Sequence, residues 1–163
     1  EKTLQKKLKV YSPFTGIETY QEYSVSAANK FKDGLDWVYI DADHSYEGVK
    51  SDLEAWAPKV HQDGVILGHD FTNQESAIKD NFGVIRAVKE FLSENDYRLV
   101  LLTTDYFPTF CIAKDGSEKV QKILSNMYKK EKFLLELDSD VALSVQHKRY
   151  KRKGIKTGLI ATY

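Results

Sequence analysis

Two short apolar runs, residues 37–40 and 65–67, each end in polar residues that include both Asp and His, and a helical stripe lies between them. Val49, Leu53, Trp56 and Val60 recur at intervals of four, three and four, which lines one face of a helix with apolar side chains. Both runs are continuous rather than alternating, the pattern of strands covered on both faces, so the segment reads strand, helix, strand with a parallel pair. Pro58 ends the regular part of the helix, and Gln62-Asp63-Gly64 turns the chain into the second strand.

The pattern extends in both directions. Residues 17–23 have strand composition, Ser24 is placed to cap a helix carrying Val25, Ala28 and Phe31, and Lys32-Asp33-Gly34 closes it. Residues 71–81 are polar and without period, a loop placed to cover a ligand. Val84, Ile85, Val88, Phe91 and Leu92 define a second amphipathic helix, followed by apolar strands at 98–103 and 107–113. The link Thr104-Asp105-Tyr106 is too short for a parallel crossover, which needs about a dozen residues, so these two strands should be antiparallel. Val120, Ile123, Leu124, Met127 and Tyr128 give a last helix, and residues 129–163 lose clear pattern. The expected fold is α/β: a mixed sheet, mostly parallel, with a terminal antiparallel hairpin and helices on both faces.

With 163 residues, 42% of them hydrophobic, the chain can bury one ordinary core, so one domain is expected over 1–135 with a basic extension over 136–163. That extension concentrates Lys148, Arg149, Lys151, Arg152, Lys153 and Lys156, read as a solvated tail rather than a phosphate site. Lys and Arg total 24 and Asp and Glu total 24, so no net charge steers the chain toward nucleic acid or anionic lipid. No apolar stretch approaches the roughly 18 residues of a membrane span, and a soluble cytoplasmic protein is expected. Cys111 is the single cysteine, which excludes an intrachain disulfide; its apolar neighbours mark a buried structural thiol. Trp37 and Trp56 fall in core-facing patterns, while His61 and His147 need no special role. The opening Glu1 and the charged, helix-like residues 1–9 read as a piece cut from a longer protein.

The candidate chemistry sits at the strand ends. Asp41, Asp43 and His44 follow the first run, and His69 and Asp70 follow the second, about one strand-helix-strand unit later. The carboxyl edge of a parallel sheet is where open α/β folds bind ligands. Asp43 and Ser45 are also suited to cap the helix that begins near Glu47.

The segment Asp-Trp-Val-Tyr-Ile-Asp-Ala-Asp-His-Ser-Tyr-Glu-Gly-Val at 36–49 closely resembles class I S-adenosylmethionine-dependent methyltransferases. The likeness continues through Asp52-Leu53-Glu54-Ala55-Trp56, Gly64-Val65-Ile66-Leu67-Gly68-His69-Asp70-Phe71 and Gly83-Val84-Ile85-Arg86-Ala87-Val88. It is most similar to the small-molecule and sugar O-methyltransferases grouped as methyltransferase family 24, over roughly residues 18–113. The resemblance implies a Rossmann-like fold of which the N-terminal part is missing, because the glycine-rich cofactor loop precedes the third strand and no Gly-x-Gly occurs upstream here.

It also implies S-adenosylmethionine as methyl donor and a small-molecule or sugar hydroxyl as acceptor. Ser24, Asp41 and Ala42 would touch the cofactor, and Asp41 and Asp70 would hold a divalent cation, for which Mg2+ suits carboxylate oxygens. Asp41, His44 and His69 would be catalytic, with the imidazoles as general bases for the acceptor hydroxyl. Two departures stand out: Phe71 occupies the place where catechol-type enzymes carry Asn, and Tyr23-Ser24 lacks the acidic residue most relatives have nearby. A homo-oligomer is compatible with the pattern. Two other readings stay open at this point. Asp41-Ala42-Asp43 satisfies the Asp-x-Asp motif of metal-dependent glycosyltransferases, and a non-catalytic remnant would keep the sheet for binding or assembly.

Overall fold

The computed structural model of the chain describes residues 17–130, 143–144 and two strands at 146–150 and 158–162. Its main sheet holds β1 (Leu35–Ile40), β2 (Val60–Gly68), β3 (Tyr97–Leu102) and β4 (Phe110–Lys114) in the order β1-β2-β4-β3. β1 and β2 are parallel, with Ile40 opposite Gly68, whereas β4 is antiparallel to both β2 and β3. Three strands therefore run one way and β4 runs against them. This is the expected Rossmann-like α/β arrangement, mostly parallel and closed by an antiparallel pair.

Five helices accompany the sheet among the described residues: α1 (Ser24–Ala28), α2 (Tyr46–Trp56), α3 (Glu75–Lys79), α4 (Val84–Glu94) and α5 (Glu118–Lys130). α2 begins where the Ser45 hydroxyl accepts the Gly48 N–H at 3.1 Å, and it gives way to a 3-10 turn, Ala57–Lys59, that contains Pro58. α2 and α4 pack together over one sheet face, joining Val49, Leu53, Val84, Val88 and Phe91 to Ile40, Ile66 and Ile112. Each such fully buried side chain contributes about 1.5–3 kcal/mol, so this face dominates the stability of the domain. α5 lies against β2, and its buried Val120 stands outside that cluster, as do Cys111 and Ala113. Side chains alternate along a strand, so Cys111 and Ala113 face opposite to Phe110 and Ile112.

Several expectations are corrected. Residues 17–23 form no strand: they run irregularly and largely exposed, and they pair with none of the described strands. Ser24 does not cap α1. Tyr23 is the N-cap, and the Ser24 hydroxyl instead accepts the indole N–H of Trp56 at 2.9 Å. The loop at 71–81 contains α3, and β4 begins at Phe110 rather than 107, since Pro108 has no N–H to give a ladder.

β1 is not covered on both faces. It is an edge strand of this sheet, with Trp37 62% and Tyr39 44% exposed, so the core-facing reading of Trp37 fails. Trp56 is partly buried, with its ring 5.3 Å from that of Phe31. Toward the C-terminus, where no pattern was expected, β5 (Gln146–Tyr150) and β6 (Gly158–Thr162) pair antiparallel, with Gln146 opposite Thr162. His147, Lys148 and Arg149 lie in β5; Lys151, Arg152, Lys153 and Lys156 fall outside the described residues, as does the charged opening at 1–9. Among the described residues no helix is long and apolar enough to cross a membrane.

Candidate active site

The site follows from the parallel register of β1 and β2. The His69 N–H donates to the Ile40 carbonyl at 3.1 Å, so Asp41 and His69 leave the sheet at the same level. At Asp70 the backbone turns left-handed, φ 61°, a conformation that costs a non-glycine residue about 1–2 kcal/mol although Asp tolerates it better than most. Surrounding bonds hold the turn. The Thr72 N–H donates to the Asp70 carbonyl at 2.7 Å, the Phe71 N–H to the Pro108 carbonyl at 2.9 Å, and the buried Phe71 ring lies 5.8 Å from Phe110. Backbone strain held in place this way often marks a working site.

Four polar side chains converge there. Nε2 of His44 lies 2.9 Å from Oδ2 of Asp70 and 3.3 Å from Oδ1 of Asp41. Nδ1 of His69 lies 3.2 Å from the same Oδ2 of Asp70 and 4.0 Å from Oδ1 of Asp41. Asp70 is buried at 6% exposure, whereas the Asp41 side chain is 47% exposed and so opens the cluster to solvent. The loop carrying His44 is anchored by its carbonyl, which accepts the Gly83 N–H at 2.8 Å, and its ring centroid is 4.7 Å from that of Phe82. Phe107 stands on the other side, 6.5 Å from the His69 ring.

Asp43 takes no part in this cluster. Its Oδ1 accepts the Ser45 N–H at 2.9 Å, and that backbone bond, with the Ser45 side chain next, holds its carboxyl below the usual range. A Cβ on Gly48 would sit 2.5 Å from the Asp43 carboxyl carbon, so the glycine makes room for this turn. Capping, expected of at least one of Asp43 and Ser45, is done by Ser45, while Asp43 holds the backbone turn that leads into it.

Beside Asp41 a cavity of about 410 Å³ opens between the edge strand and α1 and α2, lined by Ser24, Trp37, Asp41, Ala42, Asp52 and Trp56 among others. Its volume falls within the roughly 300–1,000 Å³ of small-molecule sites. The structure thus brings Asp41, His44, His69 and Asp70 into one cluster and sets Ser24, Asp41 and Ala42 on one cavity wall. Asp52 was missed in the sequence. It is buried and shares a hydrogen bond with Ser24, and its carboxyl is raised above the usual range, first by burial and then by the Asp43 charge. Its position one residue before Leu53 and three after Val49 puts it on the apolar stripe, a signal that could have found it. Phe82 and Phe107 carried no such signal, because each sits in a loop.

Fold and site together define an α/β domain with a polar centre at the carboxyl ends of two parallel strands, next to a groove that reaches α1. A family model described as a methyltransferase domain matches residues 6–71, a span that contains β1, α2, β2 and every member of the strand-end cluster. Over that span the chain is similar to methyltransferase domains. No curated protein matches the chain.

Proposed function

We propose that this domain transfers the methyl group of S-adenosylmethionine to a hydroxyl of a small molecule or sugar. The observation that carries the reading is the convergence of Asp41, His44 and Asp70, whose polar atoms lie within 4.8 Å of one another, beside a groove walled by Ser24 and Ala42. In such a transfer the acceptor oxygen attacks the methyl carbon in line with the departing sulfur. A C–O bond forms as the C–S bond breaks, and the hydroxyl proton passes to a base. Positioning and proton removal are what the protein supplies. His44 and His69 stand at the centre as candidate bases, with Asp41 and Asp70 orienting them.

The groove suits the cofactor chemically. Trp37 and Trp56 offer flat apolar surface to an adenine ring, and Asp41 and Asp52 offer acceptors to ribose hydroxyls and negative charge to a sulfonium. When bound, the cofactor supplies the electrophilic methyl group. The paired carboxylates of Asp41 and Asp70 fit a divalent cation, Mg2+ in the simplest case, which would orient and acidify the acceptor hydroxyl. Because Asp43 is committed to the Ser45 turn, Asp41 finds its partner carboxylate on the next strand. That favours methyl transfer over a sugar-nucleotide site built on Asp-x-Asp. The single buried thiol suits a reducing, cytoplasmic setting.

Calorimetric titration of the chain with S-adenosylmethionine and with a uridine sugar nucleotide, each with and without Mg2+, separates the readings. Binding of the first alone is expected. Binding of the sugar nucleotide alone would move the assignment to glycosyl transfer, and binding of neither would leave assembly as the function.

A further inference from the structure

We infer that the cation site has three protein ligands, Asp41, His44 and Asp70, and that the imidazole makes it a site for a transition-metal dication rather than Mg2+. The inference rests on the metal-assisted reading above and changes its ion and the role of one histidine.

The spacing fits. Two ligand atoms about 2.1 Å from one ion, at octahedral or tetrahedral angles, stand about 3.0–3.4 Å apart. His44 Nε2 is 2.9 Å from Asp70 Oδ2 and 3.3 Å from Asp41 Oδ1, so one nitrogen faces both carboxylates at edge lengths a small dication can use. In the metal-free chain this nitrogen can hydrogen-bond to the carboxylates, and an ion would take the proton's place.

The ligand type decides the metal. Mg2+ prefers oxygen ligands and retains waters, whereas an imidazole nitrogen favours ions of the manganese-to-zinc series. The next residue, Phe71, has no side-chain oxygen to offer, and its buried ring packs against Phe110. The nitrogen of His44 is the third donor that the fold brings forward.

The surroundings fix the geometry. His44 is pinned through its carbonyl to Gly83 and flanked by Phe82, and Nδ1 of His69 lies 3.2 Å from the Asp70 oxygen that would ligate. A donor at that place orients a ligating carboxylate. Asp41, the most exposed of the three, leaves the remaining coordination positions on the groove side, where the acceptor hydroxyl enters.

The test uses the whole chain, stripped with a chelator, and Co2+ as probe, followed by its visible absorption and by competition with Mg2+. One equivalent of Co2+ should bind at least about 100-fold more tightly than Mg2+. His44→Ala should weaken Co2+ by at least about 10–100-fold, the cost of losing even an outer-shell partner, and leave the weak Mg2+ affinity within about twofold. His44→Gln, which keeps a polar group of similar reach, guards against loss of folding, and circular dichroism monitors both variants. Equal affinities for Co2+ and Mg2+, or Co2+ binding indifferent to His44→Ala while Asp41→Asn abolishes it, would overturn the inference and leave a carboxylate cation site standing. Failure of wild-type protein to bind either ion would overturn both this inference and the metal-assisted reading, while the separate S-adenosylmethionine titration still reports on methyl transfer.

Discussion

Gly83→Ala probes the joint between the His44 loop and α4. Gly83 is the N-cap of α4, and its N–H donates to the His44 carbonyl at 2.8 Å. A Cβ there would lie 2.4 Å from Tyr46 N and 2.5 Å from Tyr46 Cα and Cβ. These are mostly main-chain atoms at the first turn of α2, and the Tyr46 hydroxyl is itself held by Glu90 at 2.7 Å, so the neighbour cannot swing aside. Overpacking of this kind costs about 1–3 kcal/mol, and stretching the bond to His44 adds about 0.5–1.5 kcal/mol. The sum is about 1.5–4.5 kcal/mol. At a urea dependence of about 2 kcal/mol per molar, the unfolding midpoint should fall by about 1–2 M. Gly116→Ala is the control: its φ is +78° with nothing within 4 Å, so only the backbone conformation is penalised, at about 1 kcal/mol. Urea unfolding followed by tryptophan fluorescence compares the two. A midpoint shift for Gly83→Ala no larger than for Gly116→Ala would refute the reasoning.

Burial raises the Asp52 carboxyl, so its ionised form is penalised in the folded state. The penalty is absent well below the unfolded value, grows as pH rises from there to the folded value, and is full above it. Asp52→Asn should therefore gain stability over wild type toward neutral pH and lose that gain in acid; denaturant unfolding across this range showing the opposite trend would count against it. Burial pushes the Cys111 thiol up to about 11, so a thiol reagent at mildly alkaline pH should label the folded protein far more slowly than the unfolded one. Equal rates would show that Cys111 is accessible. Trp56→Phe removes the 2.9 Å bond to Ser24 and should cost about 1 kcal/mol in chemical unfolding. A change near zero would mean that bond contributes nothing to holding α1.

Much of the domain was legible because strand ends and helix stripes obey simple periods. The apolar run before Asp41 and the run before His69 fixed both parallel strands, and the three-residue link after Thr103 forced the antiparallel pair. Asp41 and Asp70 could be paired from the sequence because parallel neighbours end at one edge. The left-handed turn at Asp70 could not, since it depends on the Phe71–Pro108 bond, which joins residues far apart in the chain. Trp37 and Tyr39 misled for a related reason: an apolar run shows what a strand can bury, and only its place in the sheet shows whether a neighbour covers it. His44 was expected to be a base, but its nearness to both carboxylates comes from a loop held by Gly83, which no local pattern encodes.

Transfer of a labelled methyl group from S-adenosylmethionine to a panel of phenolic and sugar hydroxyls, compared between the protein and Asp41→Asn, tests most directly whether the two strand-end carboxylates form a working centre. Wild-type protein should methylate at least one acceptor, and the exposed substitution should lower the rate by at least about 100-fold with its unfolding midpoint unchanged. Equal rates in the two proteins would contradict it.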